Sequence, residues 1–144
     1  MSEDRRDLIV QAARRWIGTP YRHQASLKGI GCDCLGLVRG VWREIVGDEP
    51  EQAPAYTPDW AESGRGDPML DAAGRWFTPR PAGLVAAGDV IAFRWRDGVS
   101  AKHLGIATSA TTMVHSHDGA CVCEVGIGQP WRRRIAGVFA FPET

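Results

Sequence analysis

The sequence has no excess of charge of either sign: 17 basic residues stand against 17 acidic ones in 144. Nucleic-acid binders concentrate a basic excess on one face, so a nucleic-acid partner is not expected. The one basic run, Arg132-Arg133-Arg134, reads either as a solvated strand flank or as a patch for an anionic partner. No apolar stretch approaches the roughly 20 residues that a membrane span needs, so membrane insertion is not expected. The first residues, Met1-Ser2-Glu3-Asp4-Arg5-Arg6, lead into an amphipathic pattern instead of a secretory leader, which predicts synthesis in the cytoplasm. Repeats and low-complexity tracts are lacking too. Cysteine is sparse, with Cys32, Cys34, Cys121 and Cys123 only. In a reducing compartment these are thiols by default, and a special one is reactive or metal-bound.

Apolar residues make up 44% of the chain, enough for one core, and its length fits a single domain over residues 1–144. Six tryptophans supply large apolar area and could also line a groove. Leu8, Ile9, Ala12, Ala13, Trp16 and Ile17 form one stripe, predicting a helix from Ser2 to Ile17. Leu37, Val38, Val41, Trp42, Ile45 and Val46 repeat that stripe over a helix from Cys34 to Val46, with Asp33 as N-cap and Gly47 as stop. Gly36 and Gly40, four apart on this helix, allow close approach of another element. The stretch from Asp48 to Asp67 reads as a surface loop, followed by a short helix from Pro68 to Phe77 capped by Asp67. From Gly88 the period changes to two. Strands are predicted over Val90–Trp95, His103–Thr108, Thr112–Ser116, Ala120–Val125 and Ile135–Phe141. Helices first and antiparallel strands after predict an α+β layer fold.

The chemistry centres on Cys34 at a predicted helix start. The positive end of the helix dipole would stabilise a thiolate there and make Cys34 a nucleophile; the plainer reading is a small buried hydrophobe. A hairpin turning about Ser109 sets His103 opposite His115 and Leu104 opposite Val114, so one imidazole could serve as base and the other orient it. His117 shares that face and is a rival orienter. Cys32-x-Cys34 and Cys121-x-Cys123 also suggest a four-thiolate metal site, although zinc spacing usually leaves two or more residues between paired cysteines.

Five segments, in order, resemble the NlpC/p-sixty family, a branch of the papain-like cysteine hydrolases. They are Gly18-Thr19-Pro20-Tyr21, Asp33-Cys34-Leu35-Gly36-Leu37, Gly88-Asp89-Val90-Ile91-Ala92-Phe93, His103-Leu104-Gly105-Ile106 and Met113-Val114-His115. The resemblance implies a papain-like fold, with N-terminal helices packed on an antiparallel sheet of about five strands. It implies Cys34 as nucleophile, His103 as base and His115 as orienter, with Tyr21, Asp33 and Leu35 beside the substrate and no metal or cofactor. The implied substrate is a peptidoglycan stem peptide, cut between D-glutamate and diaminopimelate. Leu35 departs from the family's Ser, which in some members helps bind a free amine. The compact length, with the segments His23-Gln24-Ala25-Ser26 and Trp131 to Phe141, resembles peptidases of phage and gene-transfer-particle tails. That branch implies tail-tip proteins as partners and action on the cell wall; Trp131 to Arg134 and the loop from Asp48 to Asp67 are candidate docking segments. A catalytically silent tail component and a papain-like amidase or acyltransferase are the other readings.

Overall fold

The computed structural model describes residues 2–50 and 67–143. Most of the loop expected from Asp48 to Asp67 therefore lies outside the described residues. Among these residues the first helix, α1, runs over Glu3–Arg14, with the Ser2 hydroxyl accepting the Arg5 N–H as N-cap. It is shorter than its sequence stripe. Ile9, Val10, Ala12, Ala13 and Trp16 are buried, whereas Leu8 and Ile17 are exposed. Ile17 lies past the end of α1 at Arg14, and the buried stripe takes in Val10 instead of Leu8.

A two-stranded ribbon, β1 (Ser26–Leu27) and β2 (Gly31–Cys32), follows in the stretch that sequence patterning marks only as irregular. Strands of two residues carry no periodicity to read. The second helix, α2, spans Cys34–Ile45, and Asp33 caps it by accepting the Gly36 N–H at 2.7 Å. Gly36 and Gly40 act as close-approach points. A Cβ on Gly36 would run into the Ala25 carbonyl, and one on Gly40 into the Trp16 ring. The absence of two side chains thus lets Trp16, just after α1, and the Ala25 backbone press on α2. Helix α3 (Pro68–Trp76) follows with Asp67 as cap, as expected.

The remaining strands are β3 (Thr78–Arg80), β4 (Val90–Phe93), β5 (His103–Ala107), β6 (Thr112–His115), β7 (Cys123–Gly126) and β8 (Ile135–Ala140), with a short helix α4 (Gln129–Arg132) before the last. They form one antiparallel sheet in the order β3-β8-β4-β5-β6-β7, six strands where about five are expected. One face, through Val90, Ala92, Leu104, Ile106 and Val114, packs on α1 and α2. The other, through Ile91, Phe93, Ala107, Met113 and Val138, packs on Val85, Ile127 and Trp131. The α+β layer fold is as expected, with the extra strand β3 too short to signal itself.

The Gly88-Asp89 turn is more than a strand start. Asp89 is wholly buried and accepts from Arg6 of α1 at 3.1 Å, Arg80 of β3 at 3.0 Å and the Ala86 N–H at 3.0 Å. A carboxylate so enclosed must be paired and hydrogen-bonded to be tolerated. Satisfying it locks α1 and β3 to the head of β4.

The β5–β6 register differs from the expected one. Gly105 stands opposite His115 and Ile106 opposite Val114, a shift of two residues from a pairing of His103 with His115. The turn is centred on Ala110, one residue further along the chain than the Ser109 that the sequence suggests. Hydroxyls hold it: Ser109 Oγ lies 2.6 Å from Thr112 Oγ1, which lies 2.7 Å from Thr108 Oγ1. A slip of one residue would have turned every side chain to the other face, but a slip of two preserves the face. His103 and His115 therefore remain on one face as diagonal neighbours.

Candidate active site

The start of α2 is braced from below. Asp33 Oδ1 accepts the Gly36 N–H, and its Oδ2 accepts the Gln24 N–H at 2.8 Å. Ser26 Oγ donates to the Gly36 carbonyl at 2.6 Å. Asp33 is thus the cap that fixes the helix start, with both carboxylate oxygens engaged by backbone. Gln24 sits at φ 62, a left-handed conformation unusual for a residue with a side chain, in which its N–H reaches Asp33.

Cys34, the first residue of α2, is partly buried. Its Sγ lies 4.0 Å from the Lys102 carbonyl oxygen, and the backbone N–H of Leu104 is directed at it. The thiol therefore abuts the β5 backbone on both sides of His103. The expectation that the helix start lowers the thiol's pKa does not hold for this ligand-free site. Burial pushes it up to about 12, and the neighbouring Asp33 carboxylate adds to the rise. The N–H groups of Leu104, Leu35 and Cys34 act in the opposite direction. Desolvation can shift a buried group by up to about 3–5 pK units, whereas a helix terminus contributes at most about 2 kcal/mol, so burial wins.

His103 opens β5 and is 4% exposed; His115 closes β6 and is 5% exposed. His103 Nε2 lies 2.8 Å from His115 Nδ1. Gly105, opposite His115, leaves room for Met113: a Cβ there would lie 2.7 Å from Met113 Sδ, while its 3.6 Å from His115 Cβ would be an ordinary contact. Burial is the main reason His103 is pushed down to about 3 and His115 to about 4, with neighbouring imidazoles adding to both. At neutral pH both rings are uncharged, and one proton lies between the facing nitrogens. His117 is exposed, its ring centre 5.6 Å from that of His103, and its Nδ1 lies 3.1 Å from the Asp118 carbonyl. The imidazole–imidazole hydrogen bond is made by His115.

Tyr21 is half-buried and hydrogen-bonds through its N–H to the Ala120 carbonyl. Burial, then Asp33, Cys34 and Asp118, push its phenol up to about 12, so near the thiol it remains a neutral donor. Leu35 is half-buried against the main core. Cys32 is buried, and desolvation pushes its thiol up to about 11. Cys121 is exposed and Cys123 half-buried; all four cysteines are free thiols. Among the described residues no group of three or more His, Cys, Asp or Glu is placed to hold a metal ion.

Sequence reasoning missed the aromatic surroundings of His103. Trp95 stacks on it at 5.4 Å, Trp131 at 5.6 Å, and Phe93 lies 6.0 Å away. Phe93 pairs with His103 in register, so residues 93 and 95 on the His103 side could have been inferred from strand alternation. Nothing local marks Trp131, which the sequence offers as a docking residue and which packs inward. Of the adjacent arginines, Arg132 donates to the Ala110 carbonyl and Arg134 to the carbonyls of Trp95 and Pro130, while Arg133 is exposed.

No family profile matches the chain. A γ-DL-glutamyl hydrolase of Bacillus subtilis (strain 168) is 27% identical over 136 residues, covering 92% of this chain. The chain spans 29% of the length of that curated relative. The NlpC/p60 domain of the peptidoglycan hydrolase SagA superposes with a TM-score of 0.64 at 21% identity, over 94% of this chain and 98% of that one. The fold is that of the NlpC/P60 proteins. An NlpC/P60 protein of Bacillus cereus ATCC 10987 gives a TM-score of 0.67 at 18% identity, over 94% of this chain and 40% of that one. A lipoprotein-like NlpC/P60 protein of Staphylococcus aureus Mu50 gives 0.66 at 18%, over 100% and 43%.

The buried imidazoles set an acid limit to stability. Unfolded, each titrates at its usual 6.5; folded, His103 titrates at about 3 and His115 at about 4. Below pH 6.5 the unfolded chain binds protons that the folded chain refuses, so stability is full above 6.5 and falls as pH drops. By pH 5 the loss from His103 alone reaches about 2 kcal/mol. Urea unfolding at pH 7 and pH 5 should show a smaller drop for a His103→Gln/His115→Gln protein than for the wild type. Equal drops would contradict the buried neutral pair.

Proposed function

We propose that this chain is a cysteine peptidase that hydrolyses peptidoglycan stem peptides, with Cys34 as nucleophile, His103 as base and His115 as orienter. The observation that carries the reading is the buried His103–His115 hydrogen bond beside a thiol that touches the β5 backbone on both sides of His103. When His103 Nε2–H donates to His115 Nδ1, the Nδ1 of His103 keeps its lone pair and can take a proton. The Cys34 thiol gives up its proton as sulfur attacks the peptide carbonyl. The tetrahedral oxyanion is met by backbone N–H groups at the helix start, including that of Cys34. Protonated His103 then hands the proton to the leaving amine, and water cleaves the thioester.

The likenesses taken together support the proposed substrate class. The Bacillus subtilis relative is a γ-DL-glutamyl hydrolase, and the SagA domain belongs to a peptidoglycan hydrolase. An amide formed by a glutamyl residue is common to the first and to a stem peptide, which supports the D-glutamyl–diaminopimelate bond as the one cut. Leu35 has no group to hold a free amine, which supports action on intact wall.

Digesting purified peptidoglycan and identifying the products by mass spectrometry tests the assignment. Stem-peptide fragments ending at D-glutamate are expected from the wild type. Cys34→Ala should lose the activity by several orders of magnitude, as expected for a missing nucleophile. Cys32→Ala should be nearly silent, and His115→Ala should lower kcat more than it raises KM, less severely than His103→Ala. Activity that survives in Cys34→Ala and dies in Cys32→Ala would overturn the assignment.

We also propose that the hydrolase is made in the cytoplasm and delivered to the wall on a phage-like tail, bound to tail-tip proteins. Tethering would supply the local concentration that weak substrate binding alone does not. The support is the sequence resemblance of His23 to Ser26 and of Trp131 to Phe141 to tail peptidases. Exposed Arg133 remains available for docking; Trp131 does not. Purified particles should contain the chain at low, fixed copy number by mass spectrometry, and finding it only in particle-free lysate would contradict carriage.

A further inference from the structure

The imidazole proposed as base is enclosed by more aromatic surface than a hydrogen-bonded pair requires. The ring centres of His103, Trp95 and Trp131 form a nearly equilateral triangle, with sides of 5.4, 5.6 and 6.0 Å. Both indoles therefore lie to one side of the imidazole instead of sandwiching it, and each is close to parallel with it, at 22° and 28°. Trp131 also meets His115 edge-on at 5.4 Å, and Trp95 meets His117 edge-on at 6.0 Å. The two indoles come from distant elements: Trp95 follows β4, and Trp131 belongs to α4. One side chain joins them. Arg134 Nε donates to the Trp95 carbonyl at 3.0 Å, and its second nitrogen donates to the Pro130 carbonyl at 2.6 Å. The Arg94 N–H to Arg134 carbonyl bond, at 2.8 Å, fastens the same two segments through backbone.

We propose that Trp95 and Trp131, tied together by Arg134, are positioning residues that wall the His103–His115 hydrogen bond from water and fix the plane of His103. The proposal rests on His103 being the base, as argued above, and adds the residues that set its working environment. Both tryptophans are half-buried, so they form the boundary between the imidazole pair and solvent and are not part of the deep core. Replacing an indole by water would shorten the path by which solvent reaches the pair and stabilises a charged imidazole, which burial now disfavours. The titratable groups that act on the His103 ring are His115 and His117 on the β6 side; from the α2 side Cys34, with Asp33 beneath it, touches the backbone on both sides of His103. From α4 and the loop after β4 it is indoles that meet the ring, and Arg134 is turned to carbonyls. Lys102 precedes His103 on its own strand. None of these charges changes in a Trp95→Ala protein, so any change in titration reports solvent access.

The sign is fixed. A neutral His103 is the active form, so the acid limb of kcat/KM marks its protonation. Opening the wall raises the pKa of His103 toward 6.5, and the acid limb moves to higher pH. Trp95→Ala should move that limb up by about one unit or more and lower kcat with KM nearly unchanged. Trp95→Phe, which retains a stacked ring, should keep the wild-type limb. Tryptophans that only support the fold would lower activity by the same factor at every pH, with the limb in place, and that result would overturn the proposal. A second readout does not need activity. In a Cys34→Ala background, the NMR titration of the His103 ring should move to higher pH on Trp95→Ala and not on Trp95→Phe. If the wild type hydrolyses nothing, the hydrolase reading fails while this titration still decides the wall. If Trp95→Ala does not fold, Arg134→Met, which releases both carbonyls, replaces it and should shift the titration in the same direction; an unmoved titration in the folded variant overturns the proposal.

Discussion

Two imidazole nitrogens held 2.8 Å apart in a buried site accommodate one proton between them, and the rest of the site follows from that constraint. The pair cannot both be charged, because two cations at that distance in a low dielectric repel strongly. Nor is one charge tolerated easily, since burial pushes both rings well below the usual histidine range. The thiol of Cys34, against the backbone on both sides of His103, is pushed the opposite way for the same reason. Ionising either partner alone would leave a lone charge out of water. Moving a proton from sulfur to imidazole instead creates opposite charges together. Their mutual attraction, about 4 kcal/mol for unit charges about 4 Å apart at an effective dielectric near 20, offsets part of the desolvation. The resting site is therefore a neutral thiol beside a neutral imidazole, and in the proposed mechanism charge develops only as the proton moves between them.

The fold serves this constraint with a few local devices. The hydroxyl cluster of Thr108, Ser109 and Thr112 fixes the register that makes His115 and His103 diagonal neighbours, and Gly105 opposite His115 leaves room for Met113 Sδ. Asp33 holds the start of α2 so that Sγ meets the β5 backbone, and Gly36 and Gly40 let the 24–26 backbone and Trp16 press that helix into place. Asp89, enclosed by Arg6 and Arg80, fastens β4, the strand that pairs with β5 and leads to Trp95. Polar groups that are costly to bury are thus spent on positioning, and each is satisfied by named partners.

Much of this was legible in the sequence, for reasons that also explain what was not. The α2 stripe with its Asp33 cap and the change to a period of two after Gly88 are local patterns, and the structure has α2 and the sheet where they indicate. The pairing of His103 with His115 survived a register error because two residues is the side-chain period of a strand. The strands β1, β2 and β3, of two or three residues, and the single helical turn α4 are too short to show their period and are not legible in the sequence. The direction of the thiol's pKa shift is not legible in the sequence, because a helix start is visible there whereas burial under β5 is a tertiary fact. Trp95 and Trp131 come together only through Arg134 and the sheet, so their meeting over His103 could not be read from their neighbours in the chain.

The central claim, that Cys34 carries the acyl group, is tested most directly by catching the intermediate. The protein is mixed with a γ-glutamyl stem peptide, quenched in acid within the first turnover, and mapped by mass spectrometry. The account predicts a thioester adduct of the acyl portion on the peptide that contains Cys34, absent from Cys34→Ala and from wild type without substrate. Hydrolysis that proceeds with no adduct on Cys34, or with the adduct on Cys32, Cys121 or Cys123, would contradict it.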